Sequence, residues 1–326
     1  MKPFTGNKLN IKVFLAPMSS ISSFPYRMLN RRFGARFAYL EMINARSLSY
    51  ENKKTIDLMH TSSKDKPLGI QFLGRGLCFI ERALNKLDWD DFSILDFNAA
   101  CPKDKVTTKG KGAALLEDPD HLKKILKLLV KKSPIPVTLK MRLGWGDSKH
   151  SKDIAKIAED TGVKAVCVHG RTREEGYRGK VDYRPIREIK KALSIPVIGS
   201  GDIFNALLAK KMFDETGCDS IMVARGALGN PWIFNEIESF LDKGIIKKRP
   251  GIQEVVDTVK YHLRSNCDFF GEEKGIRDFR KFFIWYTRGL SDVKHFRNEV
   301  MHITRFNKMI GLIQGLGKYD HVAAST

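Results

Sequence analysis

Eight short runs of β-branched and aromatic residues, each followed by a stretch with apolar residues at three- and four-residue spacing, set the strongest limit on how this chain folds. The runs are Ile11–Ala16, Phe37–Met42, Leu68–Phe72, Ile94–Asn98, Val137–Met141, Ala165–His169, Val197–Gly199 and Ser220–Ala224. Several are apolar without alternation, the pattern of strands buried on both faces of a parallel sheet. Asp118-Pro119 opens one intervening helix, a capping carboxylate followed by proline in the first turn. The lysines after it, from Lys123 to Lys132, interleave with Ile125, Leu126, Leu128 and Leu129 and read as a solvated helix face. Eight such units in succession predict an α/β fold, a TIM (β/α)8 barrel. An open doubly wound sheet is the competitor. Its usual G-x-G-x-x-G after the first strand is absent, and Ala16-Pro17-Met18-Ser19 stands there instead.

The pattern changes at Gly244–Gly251, where Lys247-Lys248-Arg249-Pro250-Gly251 reads as a linker. Beyond it the spacing predicts helices only, over Gln253–Asn266, Gly275–Thr287, Val293–Lys308 and a short end near Met309–Leu316. The expected organisation is therefore a barrel over 1–243 and a small all-helical C-terminal domain over 244–326.

Composition narrows the function classes. Lys and Arg number 57 against 37 Asp and Glu, a net charge of +20 that suits a polyanionic partner, nucleic acid before membrane. The excess is spread along the chain, so charge alone does not locate the contact surface. No apolar run reaches the roughly 18 residues of a membrane span, and the first ten residues lack a secretory signal. The five cysteines are scattered and none form C-x-x-C; no H-E-x-x-H occurs, so neither a disulfide framework nor a metal site is expected. A cytoplasmic monomer is the expectation.

In a TIM barrel the reactive groups sit on loops after the strands. Here those positions are small and polar: Gln71-Phe72-Leu73-Gly74, Asn98-Ala99-Ala100-Cys101-Pro102, Lys140 and Arg142, His169-Gly170-Arg171, Ser200-Gly201-Asp202 and Ala224-Arg225-Gly226. Six in register at one barrel face are hard to explain as packing. The last two suggest a phosphate cradle, since glycine lets backbone N–H groups approach an anion and Arg225 adds a charged donor. A phosphate there, with Lys140 and Gln71 aimed at the barrel centre, suits flavin mononucleotide (FMN). Lys140 would then stabilise the negative charge that builds on the flavin N1–C2=O edge on reduction. Cys101 lies in a strand-end loop followed by Pro102 and Lys103-Asp104-Lys105, which is not core composition, and reads as functional. Cys78, Cys167, Cys218 and Cys267 read as small hydrophobes.

Taken together these motifs resemble the tRNA-dihydrouridine synthases. The resemblance rests on Ala16-Pro17-Met18, Gln71 to Gly74, Asn98 to Val106, Lys109 to Leu116, Lys140 to Gly144, His169 to Arg173 with Tyr177 and Gly179, Gly201-Asp202-Ile203, and Ala224-Arg225-Gly226 through Pro231-Trp232-Ile233. Arg280-Lys281 with Trp285-Tyr286 resembles the helical domain of the bacterial B-type subfamily.

The resemblance implies reduction of the C5=C6 bond of uridines in tRNA by FMN, with NADPH reloading the flavin. Pro17, Met18, Ser19, Gln71, Lys140, His169, Ser200, Gly201, Asp202, Ala224 and Arg225 would hold FMN. Asn98 and Arg171 would place the uracil, with Lys105, Arg142, Arg173, Tyr177, Arg280 and Lys281 on the RNA side; the barrel over 1–243 would hold FMN and carry the catalysis, and the helical domain over 244–326 would bind tRNA. Cys101 would donate the proton to C5. This chain departs from the family pattern at Ser200 (usually Asn), Ala100 (usually Gly) and Phe282 (usually His), the last expected to remove a polar group from the RNA side. Three rivals stand beside this reading: the same reaction on ribosomal RNA, an FMN-dependent small-molecule dehydrogenase of dihydroorotate type, and a non-catalytic RNA-binding module. Lys103, Lys105, Lys109, Lys111, Arg171, Arg173, Arg178 and Lys180, all on the expected catalytic face, favour a polyphosphate substrate.

Overall fold

All eight runs form strands, and the strands close on themselves. A computed structural model of the protein describes residues 3–6, 8–290 and 293–318. In it β1 (Val13–Leu15), β2 (Phe37–Asn44), β3 (Leu68–Leu73), β4 (Ile94–Ala99), β5 (Val137–Arg142), β6 (Ala165–His169), β7 (Val197–Ser200) and β8 (Ser220–Val223) pair in sequence order as a closed parallel barrel. Closure is made by β8 against β1, with Ile221 opposite Val13 and Val223 opposite Leu15. Closure removes both sheet edges and lets near-continuous apolar strands be buried on each side.

Side chains alternate across each strand. On β5, Val137, Leu139 and Met141 join the outer core under the helices, while Thr138, Lys140 and Arg142 face inward. The lower interior is filled by Phe14, Phe37, Tyr39, Ile94, Ala165 and Ile198. A two-stranded hairpin that the sequence pattern did not reveal, Phe4–Thr5 with Lys8–Leu9, brings Phe4 and Leu9 onto that layer.

The barrel helices carry the expected end signals. Helix α1 (Phe24–Arg32) has Pro25 in its first turn, and α2 (Ala45–Ser49) is capped by the Asn44 side chain. Outside β3 lies α3 (Leu77–Leu84). Helix α4 (Pro119–Lys132) is capped by Asp118, which accepts from the His121 amide at 3.2 Å, and it buries Leu122, Ile125, Leu126 and Leu129 while Lys124, Lys127, Lys131 and Lys132 face solvent. Then come α5 (Ser151–Asp160), α6 (Tyr183–Ala192), α7 (Ala206–Thr216) and α8 (Ile233–Lys243), the last ended by Gly244 at φ 68°.

No regular element lies between Lys243 and Ile252, where the linker was expected. Four helices follow: α9 (Ile252–Phe270), α10 (Glu272–Tyr286), α11 (Lys294–Glu299) and α12 (Phe306–Gly315). Two expectations are corrected. Gly275 does not open a helix but lies inside α10, where a Cβ would stand 2.6 Å from the Cys267 Cα; it is the close-contact point of α9 and α10. Val293–Lys308 is not one helix. After local turns at Met301 and His302, Arg280 takes the Ile303 carbonyl at 2.8 Å and Glu272 takes the Phe306 amide at 2.9 Å, so the chain between α11 and α12 is tied to α10 instead of continuing the helix.

The helices share one apolar core with the barrel. Tyr26 of α1 stacks on Phe282 of α10 with centroids 5.4 Å apart, and Gly229 admits the Trp285 backbone so closely that a Cβ would lie 2.4 Å from its carbonyl carbon. Phe282 is thus buried against Tyr26 and His262, not on an outer RNA-facing side as the sequence suggested.

Candidate active site

At the C-terminal ends of the strands lies a cavity of about 380 Å³. Pro17, Met18 and Ser19 line it from β1, Asn98 and Cys101 from β4, Lys140 and Arg142 from β5, and His169 from β6. The far wall is Ser200, Gly201 and Asp202 after β7 and Ala224 and Arg225 after β8, with Tyr177 at the rim. Parallel register makes this possible: Asn98 is opposite Lys140, Arg142 opposite His169, and His169 opposite Ser200.

Cations outnumber anions around the cavity. Burial, then the cations Arg142, Lys140, Arg171 and Arg225, push the His169 pKa well below its ordinary value, so the ring is neutral at pH 7. Its Nε2 is buried without a hydrogen-bond partner. Lys140 Nζ lies 3.7 Å from the Cys167 Sγ. Burial pushes that thiol up to about 11 despite the nearby ammonium, so Cys167 is a neutral neighbour to Lys140. Burial would raise the Asp202 carboxyl as well, but the guanidiniums of Arg171 and Arg225 prevail and hold it below the usual carboxylate range. Asp202 sits at φ 46°, a left-handed conformation unusual for a residue with a side chain. Its two ion pairs hold it there.

Cys101 is only 9% exposed. Its amide donates to Asn98 Oδ1 at 2.9 Å, its carbonyl accepts from Ala113, and Gly112 passes so near that a Cβ would meet the Cys101 carbonyl at 2.7 Å. Arg142 braces the same loop from below, donating to the Ala100 carbonyl at 2.8 Å and to the Thr172 and Gly176 carbonyls. Tyr177 is held between two cations: the Arg142 Cζ is 5.4 Å from its ring centroid and the Arg225 Cζ 4.9 Å. It is half exposed at the rim.

Other expected site residues stand outside the cavity wall. Gln71 is wholly buried beneath it, donating to Asp96 and accepting from Asn98. Arg171 is buried behind the wall, bound to Asp202 and to the Arg178 and Gly179 carbonyls. Arg173 stacks on Trp145 and pairs with Asp104, tying the β6 loop to the β4 loop beside exposed Lys105. Arg280 and Lys281 are on α10, with Arg280 on the Ile303 carbonyl and Lys281 paired to Asp278. Ser200 donates to the Met222 carbonyl at 3.3 Å, and Ala100 gives its amide to Asn98, so both departures from the family pattern are accommodated within the strand ends.

Motif reading passed over Asp96, Cys167, Met42 and Phe204. Asp96 and Cys167 lie two residues before Asn98 and His169 on the same inward faces, so strand alternation was the available signal. Cys167 and Cys218 are buried as expected, but Cys78 is exposed and Cys267 partly so. Cys78 is on the outer side of α3, whose inner side is Ile80, Ala83 and Leu84.

A barrel with a largely apolar cavity at the carboxyl ends of its strands, into which cationic side chains are set, defines an enzyme of the TIM-barrel class. The dihydrouridine synthase family model matches residues 14–315, and the chain belongs to that family. It is 35% identical over 309 residues to tRNA-dihydrouridine synthase B of Pasteurella multocida (strain Pm70), covering 94% of this chain and 93% of that one. It is also 37% identical over 298 residues to a probable tRNA-dihydrouridine synthase of Rickettsia bellii (strain RML369-C), covering 90% and 91%. Among solved structures, the 6-hydroxypseudooxynicotine amine oxidase of Pseudomonas geniculata N1 aligns with TM-score 0.54 at 13% identity, over 79% of this chain and 51% of that one. That last likeness is one of fold alone.

Among the described residues no group of side chains is arranged to hold a metal ion, and no helix is long and apolar enough to cross a membrane.

Proposed function

We propose that the protein reduces the C5=C6 bond of uridines in tRNA to 5,6-dihydrouridine, with FMN in the cavity and NADPH as the reductant. The observation that carries this reading is the meeting of Cys101, Lys140 and a neutral His169 on the wall of one cavity whose rim presents Tyr177 and Arg225.

The wall fits a flavin mononucleotide. The His169 Nε2 lacks a partner, Lys140 offers a cation, and the β7–β8 side is close-fitted backbone. At Gly226 a Cβ would fall 1.9 Å from the Ile203 carbonyl oxygen, and Gly201 adopts φ 135°. Pro17, Met18, Ser19, Lys140, His169, Ser200, Gly201, Asp202, Ala224 and Arg225 would hold the group, with Gln71 acting from beneath through Asn98. The chemistry such a group would supply, once reduced, is a hydride for C6 of the uracil.

The chain's own residues do the rest. Tyr177 positions a flipped-out base, Asn98 contributes by holding the Cys101 loop beside it, and exposed Lys103 and Lys105 with Arg173 meet its phosphates. Lys140 and the neighbouring guanidiniums stabilise negative charge as it develops. The Cys101 Sγ gives its proton to C5 and later recovers one from water, with Asn98 and Arg142 fixing the loop that carries it. Arg171, Arg280 and Lys281 act on the RNA side through the loop and helix they brace.

Purification tests the flavin part: near-stoichiometric flavin absorbance is expected, and a colourless protein that takes up no added FMN would refute it. The RNA part is tested by titrating tRNA at several salt concentrations. With roughly six phosphates contacted, a log–log slope near −5 is expected. Affinity indifferent to salt would count against an RNA substrate.

A further inference from the structure

Beneath Cys101 runs an unbroken line of side-chain hydrogen bonds that the reaction chemistry does not itself require. Thr138 Oγ1 and Gln71 Nε2 both meet the buried Asp96 carboxyl, at 2.5 and 2.6 Å. Gln71 Oε1 accepts from Asn98 Nδ2 at 2.7 Å. Asn98 Oδ1 accepts the Ala100 amide at 3.0 Å and the Cys101 amide at 2.9 Å. Register builds the line, since Gln71 is opposite Asp96 and Asp96 opposite Thr138 on adjacent strands.

We infer that Asp96 is a positioning residue: by accepting from Gln71 it fixes the direction of both amides above it and thereby the loop that carries Cys101. Primary amides have a donor end and an acceptor end, and nothing in their shape tells the two apart. At the top of the line the donors are backbone N–H groups, which cannot be reversed. Asn98 must therefore present oxygen to Cys101 and nitrogen to Gln71. Gln71 must then present oxygen upward and nitrogen downward, and only an acceptor at position 96 completes the line. A carboxyl supplies one without ambiguity. If it takes up a proton, Thr138 Oγ1 beside Oδ1 is the acceptor, and Oδ2 still faces Gln71. In a wholly buried site a reversed amide leaves like groups facing each other, at the cost of an unmade hydrogen bond.

The kinetic part of the test rests on Cys101 being the proton donor; the labelling part does not. Asp96→Leu removes the acceptor at similar size. Gln71→Met removes the amide through which Asp96 acts on Asn98. Asp96→Asn with Gln71→Glu restores a donor–acceptor match with the direction inverted only at that one bond. Each full-length variant is labelled with iodoacetamide, and modification of Cys101 is read by peptide mass against exposed Cys78. Cys101 labelling is expected to rise several-fold in Asp96→Leu and Gln71→Met and to return to the wild-type ratio in the double variant. Single-turnover product formation should fall roughly 10²-fold in the two single variants and recover at least about tenfold in the double, because small misplacements of a reacting group have effects of that size. Asp96→Asn alone, able to turn its nitrogen to Thr138, should suffer less than Asp96→Leu. Wild-type labelling in Asp96→Leu overturns the inference, as does a double variant no better than Gln71→Met. If Asp96→Leu fails to fold, the comparison of Gln71→Met with the double variant decides alone, since neither leaves position 96 apolar. A wild-type enzyme that forms no dihydrouridine would instead refute the proposed reaction and leave the labelling result standing.

Discussion

The buried Arg171 guanidinium reaches Asp202 across the loops that follow β6 and β7, with Nη1 donating to Oδ1 at 3.1 Å. The same side chain gives Nε to the Arg178 carbonyl at 2.8 Å and Nη2 to the Gly179 carbonyl at 2.6 Å. One residue thus holds the cavity wall and the excursion that carries Tyr177.

Arg171→Met should keep the apolar stem but release both. Asp202 retains Arg225, so the loss is smaller than for an isolated buried charge, about 2 kcal/mol. The 173–181 segment should become much more sensitive to trypsin at Arg178 and Lys180. Unchanged cleavage there would show that the segment is held by other contacts.

Cys101→Ala removes the proposed acid and leaves the proposed hydride donor. Product formation by pre-reduced enzyme should fall by about 10²–10⁴-fold. Flavin content, tRNA affinity and flavin reduction by NADPH should stay near normal. Cys101→Ser, nearly the same shape but a far weaker acid, should be almost as impaired. Wild-type rates in either variant would assign the proton to another group or to water.

The barrel was legible because strand and helix periods alternate eight times, and that rhythm has few other solutions. The cavity wall was legible for the same reason, since Asn98, Lys140, His169, Ser200 and Ala224 stand at strand ends. What escaped was whatever depends on contacts between distant segments. Phe282 sits within an amphipathic helix, and only packing tells that it meets Tyr26 and His262 rather than RNA. Arg171 looks like a loop arginine until Asp202 and two carbonyls are seen to absorb it. Gly275 looks like a helix start, yet it marks the crossing of α9 and α10. Asp96 precedes a better-known pattern and takes its meaning from Gln71, twenty-five residues earlier in the chain.

Acid should weaken the joint between barrel and helices through His262. Its Nδ1 meets the Tyr286 hydroxyl at 3.1 Å, its Nε2 has no partner, and burial, with a smaller contribution from Lys281, lowers its pKa to about 3. The unfolded chain binds a proton near pH 6.5, whereas the folded chain does not until about pH 3. The stability from keeping the ring neutral is therefore present above pH 6.5 and is lost as pH falls toward 3, at about 1.4 kcal/mol per unit. His262→Phe forgoes the Tyr286 bond and should be less stable by about 1–3 kcal/mol at pH 7. Urea unfolding at pH 7, 5 and 4 should show that deficit shrinking with acidity. A deficit constant with pH would show that His262 is not the titrating group.

Two glycines would separate the proposed flavin binding from the proposed RNA binding. At Gly226 a Cβ would collide with the Ile203 backbone, 1.9 Å from its oxygen, and Ile203 follows Gly201 and Asp202 in the cavity wall. Neither backbone can yield without moving the β7 loop away from the β8 loop. Gly226→Ala should therefore lower flavin affinity by at least about tenfold, since one displaced charged or close contact is worth 1.4 kcal/mol or more. At Gly229 the conflict is with the helices instead: φ is 70°, and a Cβ would lie 2.4 Å from the Trp285 carbonyl carbon and 2.7 Å from the Tyr286 nitrogen. Gly229→Ala should push the end of α10 outward, costing about 1–3 kcal/mol by overpacking. It should weaken tRNA binding while the flavin stays in place, because no residue of α10 lines the flavin cavity. Flavin fluorescence and filter binding of tRNA on the same two variants give the comparison. If both variants lose flavin and RNA in equal measure, the helical segment and the barrel face do not contribute separately, and the division of labour proposed for them fails.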